Sequence, residues 1–493
     1  MAPGNRQTAE SLFYLGSDPK NPRRLFWLGL GERRAHMAVF GASGSGKSQL
    51  LLDLCMQDVM AGRGFALIDP KGDLVRDVVA CLSALPEERW NELARDLVII
   101  DPSDPSSTTC FNPLELGRGV SASRQRQDLV SVFRKVWKLD DAQTPRLGLV
   151  LRRALQLAVE NDLTLCDMQR ILTDNEFRDG LVARTEDASL RLFWEREFPR
   201  NASAQLQWTA SSLVRLESFL DDPQLRRFFG QQRSSFDFRE IMDSGRICLI
   251  NLGKGALGEE TSHLLGGFLL GRMQLAAESR QEMLIEARRP FYLFVDEFQN
   301  YATRSFEEML AEARGYGLSL VMANQHLAQL DDSLRQAVLS NARIRVAFRL
   351  SYDDAAMLAP ELFRVTGERK KETRWETVRL TRNLVLPVPE PVYYAAGEEM
   401  RQNREALHYL PDRLFWCHLA GPSKPRLLRS VDIPRAHLAA ATERAARLKA
   451  LVYSRHQLAP LETKQLPEPR AAQPTYDWKG GLPALTAGRA QGE

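Results

Sequence analysis

The sequence lacks any apolar run long enough to cross a membrane. Its best candidate, 264–270, is short and interrupted by glycine, whereas a spanning helix needs about 18 apolar residues. The first residues also lack the succession of basic, apolar and small residues that marks a signal peptide. We therefore expect a chain without an integral membrane segment, located in the cytoplasm.

Cysteine is scarce and scattered. The chain has 6 cysteines among 493 residues, none in a C-x-x-C pair and none with histidine at ligand spacing. This pattern argues against a disulfide framework and against a structural zinc site. We interpret the cysteines as small core residues of a reduced protein.

Charge of one sign is also nearly absent. The 66 basic and 63 acidic residues give a net charge of +3, which by itself neither requires nor excludes nucleic acid. The basic excess lies from Leu362 onward, which fits an anionic partner and fits a solvated tail equally well. The 44% hydrophobic and 26% charged residues are typical of a folded globular protein.

Short apolar strands alternate with helical segments in two parts of the chain. This alternation predicts an α/β fold with a mostly parallel sheet and helices on both faces. Strands are predicted at Ser11–Leu15, Met37–Phe40, Phe65–Ile68, Leu97–Ile100, Ile247–Leu252, Pro290–Val295, Leu318–Ala323 and Ile344–Leu350, and helices at Gln49–Met60, Asp73–Leu82, Thr261–Ser279, Ser305–Gly315 and Ser333–Asn341.

Helical periodicity without strand signals runs from about Ser121 to Phe229, so we predict an inserted all-α subdomain. A hairpin, Leu414–Leu419 with Arg426–Val431, is expected at the sheet edge. The content of Pro, Gln, Ala and Gly from Pro460 onward predicts disorder. The predicted domains are 1–120 and 236–435 as the two halves of the α/β domain, 121–235 as the inserted all-α domain, and 436–493 as a C-terminal helix and tail.

The segment from Gly41 to Ser48 satisfies the P-loop pattern G-x-x-x-x-G-K-[ST] between a strand and a helix. Its glycines let backbone N–H groups surround phosphate oxygens at a helix N-terminus. Lys47 would reach the β- and γ-phosphates, and the Ser48 hydroxyl would hold Mg²⁺. ATP and Mg²⁺ are therefore the predicted cofactors, bound by Gly41, Ala42, Ser43, Gly44, Ser45, Gly46, Lys47, Ser48 and Gln49.

A second apolar strand ends in two carboxylates, Asp296 and Glu297. Asp296 would contact Mg²⁺, and Glu297 would polarise the attacking water as general base. Two carboxylates after a strand also fit a solvated turn, but an intact P-loop favours the catalytic interpretation. The adjacent glutamate favours an ATP-hydrolysing motor over a nucleotide switch.

Two further polar residues follow the same logic. Gln325 ends an apolar strand and would sense the γ-phosphate, unless it is only a cap or turn residue. Arg314 ends a helix and would reach into a neighbouring subunit's ATP to stabilise transition-state charge, unless it only complements the helix dipole. Three rival arginine fingers are Arg343, Arg345 and Arg349.

Two other features keep two interpretations each. Asp69 follows the second strand, where doubly wound sheets bind ligands, but Asp69–Asp73 also has good turn chemistry. The aromatic residues Phe193, Trp194 and Trp208 would stack bases, although aromatics at helical spacing more often belong to a core.

Taken together, these segments resemble the FtsK/HerA superfamily of DNA-pumping ATPases, and within it the type IV secretion coupling proteins of conjugation. The resemblance runs from Leu15 to Leu362. It implies a RecA-like motor domain with an inserted all-α domain, a homo-hexameric ring with ATP between subunits, and DNA in the central channel. It also favours Arg314 as the finger and matches Gln325 to the family's motif III glutamine. The matching segments are FGASGSGKS, IDPKGDL, FNPL, LFVDEFQNYAT, EARGYGLSLVMANQ and SNARIRVAFRLSYDDA.

The chain departs from that family at its N-terminus. Coupling proteins carry transmembrane helices there and HerA helicases a β-barrel, and the stretch before the P-loop has neither. We therefore expect a coupling-protein-like ATPase that translocates DNA, peripheral at a membrane secretion complex, with a relaxase or secretion-channel proteins as possible partners and the DNA strand form open. The alternatives are a HerA-like helicase working with a nuclease, a nucleotide-dependent adaptor that presents cargo, and a secretion ATPase that moves protein.

Overall fold

The computed structural model describes residues 12–139, 145–381, 384–421, 423–433 and 441–455. The tail predicted to be disordered from Pro460 onward lies outside these ranges. The described strands, in chain order, are β1 (Leu12–Ser17), β2 (Leu25–Gly29), β3 (His36–Phe40), β4 (Phe65–Asp69), β5 (Leu97–Ile100), β6 (Ile247–Asn251), β7 (Phe291–Val295), β8 (Leu318–Asn324), β9 (Ala342–Ala347), β10 (Lys370–Thr381), β11 (Leu384–Tyr393), β12 (Leu414–Leu419) and β13 (Arg426–Arg429).

The described helices lie mainly between these strands. None of them has both the length and the apolar composition that a bilayer-spanning helix requires. They are α1 (Leu30–Arg33), α2 (Lys47–Met60), α3 (Asp73–Ser83), α4 (Trp90–Asp96), α5 (Ala122–Val136), α6 (Pro145–Glu160), α7 (Met168–Thr173), α8 (Asn175–Val182), α9 (Ala188–Leu192), α10 (Ala202–Leu220), α11 (Pro223–Phe229), α12 (Phe238–Ser244), α13 (Lys254–Leu257), α14 (Glu259–Glu278), α15 (Arg304–Glu312), α16 (Asp332–Asn341), α17 (Tyr352–Leu362), α18 (Ala396–His408) and α19 (Thr442–Tyr453).

Eleven strands form one sheet in the order β2-β1-β13-β12-β9-β3-β8-β7-β4-β6-β5. The strands from β9 to β5 are parallel to one another, and β12, β13, β1 and β2 extend the sheet in antiparallel fashion. The predicted fold class, an α/β core with a mostly parallel sheet, is confirmed. The predicted hairpin is β12–β13, but it is not the edge, because β1 and β2 continue the sheet beyond it.

The parallel strands have buried side chains on both faces. In β3, Met37 and Val39 belong to one hydrophobic core, whereas Ala38 and Phe40 belong to the core on the opposite face. All four residues of β5 are buried as well. Because helices cover both faces, these strands appear in the sequence as continuous apolar runs without alternation.

The helices α5 to α12 lie between β5 and β6. Their apolar side chains join the core on one sheet face, and the Phe133 ring lies 5.1 Å from that of Phe268 on α14. Phe193 and Trp194 are completely buried in this core, and Trp208 packs against it. The core interpretation of Phe193 and Trp194 is therefore confirmed, and base stacking by them is excluded because neither ring can reach a nucleic acid.

Two described elements carry little sequence signal. The strand β2 follows a polar turn and adds only a short apolar run to the sheet. The strands β10 and β11 form a separate two-stranded sheet, in which β11 carries proline at 387, 389 and 391. Proline removes a backbone donor and normally argues against a strand, but at alternate positions these three residues share one side of the strand.

A buried ion cluster joins α1 to the end of α2. The Arg33 guanidinium donates to both carboxylate oxygens of Asp58, at 2.6 Å for the Nη1–Oδ1 bond, and lies 3.9 Å from the centre of the Tyr292 ring. Arg63 Nε donates to Asp58 Oδ1 at 2.7 Å. Asp58 therefore neutralises a guanidinium that is only 2% exposed.

Replacing Asp58→Asn should destabilise the fold by about 3–5 kcal/mol, because the Arg33 charge would stay buried without its carboxylate. Urea denaturation of the two proteins measures this difference. The control is Glu405→Gln, which removes the carboxylate of an exposed pair with Arg401 and should cost less than about 1 kcal/mol. Equal effects of the two substitutions would contradict the importance of the buried cluster.

Candidate nucleotide-binding site

The strand order brings three predicted motifs together at the carboxyl ends of the parallel strands. In the parallel strands β3, β8 and β7, Phe40 pairs with Asn324, and Val295 pairs with Met322. The P-loop follows β3, Gln325 follows β8, and the carboxylates follow β7. These chemically different groups lie far apart along the chain but meet at the carboxyl ends of neighbouring strands, where α/β sheets bind ligands.

The P-loop has the backbone geometry that its glycines predict. A Cβ atom on Gly41 would lie 2.7 Å from the Cβ of Phe348, so only glycine fits this position. Gly46, at the N-cap of α2, has φ 122°, a value that strongly favours glycine. Lys47 is the first residue of α2, and its ammonium donates to the carbonyls of Gly41 and, at 3.2 Å, Ala42.

A cleft of about 350 Å³ lies over this loop. Ser43, Gly44, Gly46, Lys47, Ser48 and Gln49 line it, whereas Gly41 and Ser45 are buried beneath the loop. Asp296, Glu297 and Gln325 line the opposite side of the cleft. The structure therefore brings most of the predicted nucleotide-binding, metal-binding and catalytic residues to one cavity, whereas Ala42 and Arg314 do not line it.

Glu297 is held by two amide side chains. Gln325 donates to one carboxylate oxygen, and the Nε2 group of Gln299 donates to the other at 2.8 Å. Glu297 has φ 51°, a left-handed conformation that is uncommon outside glycine and is often found at functional sites. No local sequence pattern selects Gln299, since its role depends on the turn that follows the carboxylates.

The carboxylates of the cleft repel one another. Burial, followed by the nearby charges of Glu297 and Asp69, raises the pKa of Asp296 to about 7, although Lys47 and Lys71 oppose the shift. Burial lowers the pKa of Lys47. Carboxylate and hydroxyl oxygens are the kind of ligand that a hard divalent cation prefers. Ser48 and Asp296 supply the hydroxyl and carboxylate that would hold Mg²⁺.

Asp69 has a structural role at the carboxyl end of β4. Its Oδ1 accepts from the Lys71 backbone N–H at 2.9 Å, and its Oδ2 accepts from Leu74 and Val75 at 2.7 and 3.0 Å. Both oxygens therefore satisfy the backbone at the start of α3. This favours the turn interpretation for Asp69, although Asp69 lines the cleft together with Lys71 and Asp73.

Arg314 lies near the amino ends of the parallel strands, at the opposite end from the cleft. It is exposed and precedes β8, whose other end carries Gln325. Arg314 does not line the cleft that holds the other predicted site residues. Arg343, near the start of β9, is also exposed at the amino ends of the strands.

The other two rival arginines are engaged within the subunit. Arg345 donates to the Glu361 carbonyl at 2.8 Å and to the carboxylate of the same residue at 3.1 Å. Arg349 pairs with Asp412 at 3.1 Å, and its carbonyl accepts from the Ala42 N–H of the P-loop. These contacts favour Arg314 and Arg343 as candidates for action on a neighbour.

Arg413 is a cleft residue that sequence reasoning missed. It lines the cavity, donates its backbone N–H to the Ser45 carbonyl at 2.9 Å, and pairs through Nη1 with Asp432 at 2.5 Å. Its φ of 69° is unusual for arginine. Only the return of β12 to the P-loop brings it here, so no local pattern could have found it.

The comparisons with known sequences find a family model that matches part of the chain and a curated relative that matches most of it. Residues 290–379 match a family model described as the TraM recognition site of TraD and TraG. The chain is 23% identical over 406 residues to the type 4 coupling protein DotL of Legionella pneumophila subsp. pneumophila, a match that covers 69% of this chain and 50% of DotL. The chain thus spans about half the length of this curated relative.

Solved structures share the fold. The conjugative coupling protein TrwBdeltaN70 aligns with a TM-score of 0.55 and 18% identity, over 83% of this chain and 88% of that one. TrwB in complex with ADP and Mg²⁺ aligns with a TM-score of 0.55 and 19% identity, over 83% and 87%. VirB4 of Thermoanaerobacter pseudethanolicus gives 0.51 and 14%, over 86% and 97%. The resemblance to coupling-protein P-loop ATPases predicted from the motifs is confirmed.

Arg413 should contribute to nucleotide affinity, because its guanidinium lies in the cleft beside the P-loop. Replacing Arg413→Asn removes the charge with a residue that tolerates positive φ, and the Kd of a fluorescent ATP analogue should rise about tenfold. Replacing Asp432→Asn frees Arg413 and should lower the Kd. The exposed Arg401→Asn on α18 is the control. Unchanged affinity in both cleft variants would exclude this role.

Proposed function

We propose that this protein is an ATP-driven DNA translocase of the coupling-protein kind, serving conjugative transfer or type IV secretion. The observation that carries the proposal is the position of Glu297, held by Gln325 and Gln299 across one cleft from the P-loop. A protein that only bound nucleotide would have no need for a strained glutamate held in this way. The likeness to DotL and TrwB supports the choice of track and process.

ATP binding follows from the P-loop. Lys47 would turn from the carbonyls of its own loop toward the β- and γ-phosphates, and the backbone N–H groups at the start of α2 would surround the phosphate oxygens. Ser48 and Asp296 would hold Mg²⁺, which would neutralise negative charge on the phosphates. A TrwB structure with ADP and Mg²⁺ supports this assignment.

Hydrolysis would depend on Glu297 as the general base. Its carboxylate accepts from two neutral amides, which orient it without removing its negative charge, and one oxygen would then accept the proton of the attacking water. Gln325 donates to the same carboxylate and lies at the end of β8. The loss of the γ-phosphate would therefore be transmitted from Gln325 along the rigid strand β8 to the amino ends of the strands.

Action between subunits would complete the site. Arg314 lies at the far end of the same strand, so β8 would connect the nucleotide state of one subunit with the finger that it presents to the next. A homo-hexameric ring, as the family resemblance implies, would give every cleft such a neighbour. DNA would be held in the channel through its phosphates, largely without regard to sequence.

Steady-state ATP hydrolysis with single-stranded DNA, double-stranded DNA or no DNA tests the proposal, with Glu297→Gln as the blank. We expect stimulation by DNA and a loss of at least about 100-fold in the blank. Hydrolysis that ignores DNA would favour a protein-moving ATPase. No hydrolysis under any condition would favour the adaptor, and unchanged hydrolysis in the blank would remove Glu297 as the base.

Mixed assemblies test whether Arg314 acts on a neighbour. Arg314→Ala and Lys47→Ala should each lose turnover by about 1000-fold or more, the first without losing nucleotide binding. A mixture should recover part of the activity, because some clefts combine an intact Lys47 with a neighbour's intact Arg314. Mixtures of Arg343→Ala with Lys47→Ala are the matched comparison. Recovery only there would transfer the role to Arg343.

A further inference from the structure

The helix α5 reaches the turn that follows the catalytic carboxylates. Lys135, in the last turn of α5, donates from its ammonium group to the Gln299 carbonyl at 3.1 Å and also to the Ala302 carbonyl. Gln299 and Ala302 belong to the short turn that begins directly after Glu297. A residue of the helical stretch between β5 and β6 therefore holds the backbone beside the proposed general base.

The same turn orients Glu297 through the Gln299 side chain. Gln299 Nε2 donates to the Glu297 carboxylate at 2.8 Å and to Gln329 Oε1 at 3.0 Å, so both of its hydrogens are used. The direction of this side chain depends on where its backbone lies, which Lys135 fixes through the carbonyl. The left-handed backbone of Glu297 needs such external support, because it is not the conformation the residue would adopt alone.

Close packing against α14 holds the helix α5, and with it the backbone of Lys135, in place. Val132 packs so closely on Gly267 of α14 that a Cβ atom there would lie 2.6 Å from a Val132 methyl group. One residue further, Phe133 packs on Phe268. Lys135 is thus positioned by a core that contains none of the nucleotide-binding residues.

The environment of Lys135 is unusual for a lysine. Burial lowers its pKa to about 8, although Asp331 and Glu307 oppose the shift, and its hydrogen bonds go to backbone carbonyls. A purely structural contact would be met more easily by a neutral donor, since burying a charge is costly. The chain has instead placed a long cationic donor at the turn that carries the general base.

We propose that Lys135 is a positioning residue for hydrolysis. It fixes the turn 298–302, the turn fixes Gln299, and Gln299 holds Glu297 in reach of the attacking water. The helical stretch between β5 and β6 therefore sets the rate of turnover without contacting the nucleotide. The inference rests on the proposed role of Glu297 as general base.

Replacing Lys135→Met should lower kcat for ATP about tenfold, since small misplacements of a catalytic group have large effects, and leave KM within about twofold. Lys135→Arg keeps the donors and should restore most of kcat. Lys138→Met, on an exposed lysine just beyond α5, is the matched control and should change neither constant. A rise in KM without a fall in kcat, or equal effects of the two methionine variants, would overturn the proposal.

A double-mutant cycle tests the route through Gln299. Gln299→Leu removes the amide and keeps the backbone carbonyl, so it should also lower kcat about tenfold. If Lys135 acts through Gln299, Lys135→Met combined with Gln299→Leu should lose little more than Gln299→Leu alone. Multiplying losses, to about a hundredfold, would mean independent effects and would overturn the proposed route.

Amide hydrogen exchange provides a readout that needs no turnover. The N–H groups of Asn300, Tyr301 and Ala302 are bonded within the turn, and Lys135→Met should accelerate their exchange while leaving β7 and α2 unchanged. Unchanged exchange would overturn the inference whatever the activity. Loss of turnover in Glu297→Gln but not in Lys135→Met would overturn this inference alone, whereas full turnover in Glu297→Gln would overturn the proposed function.

Discussion

Hydrogen bonding between the parallel strands β3, β8 and β7 fixes the chemistry of this molecule. The pairing of Phe40 with Asn324 ends two strands at the same level, so the P-loop and Gln325 begin side by side. The pairing of Val295 with Met322 sets the adjacent carboxylates against Gln325. Shifting either strand by one residue would exchange its side chains between the two cores and would displace the residues that follow the strand, so core packing and the cleft depend on the same register.

The two ends of the parallel strands have different roles. The carboxyl ends of the strands hold the cleft, where burial, followed by the charges of nearby carboxylates, raises the pKa of Asp296. Arg314 is exposed near the amino ends of the strands and lies away from the cleft of its own chain. The helix α5 adds a third connection, from the helical stretch to the turn beside Glu297. One sheet thus connects the cleft, the exposed Arg314 and the helical stretch between β5 and β6.

Local patterns predicted the parts of the fold and cleft that local chemistry determines. The P-loop glycines, the carboxylates at the end of β7 and the amide at the end of β8 could be selected because each has a motif or follows an apolar strand. Gln299, Lys135 and Arg413 could not be, since their roles arise from contacts between distant elements. The prolines of β11 concealed a strand, and the burial of Trp194 by surrounding helices excluded the stacking role that its chemistry allows.

The most direct test of the account is a structure of Glu297→Gln bound to ATP and Mg²⁺, determined by cryo-electron microscopy. We expect phosphates along the P-loop, with the γ-phosphate beside Lys47 and facing position 297. The metal should be held at Ser48 and Asp296, and Arg314 of an adjacent subunit should approach the same cleft. Phosphates bound elsewhere, or a γ-phosphate remote from position 297, would contradict it.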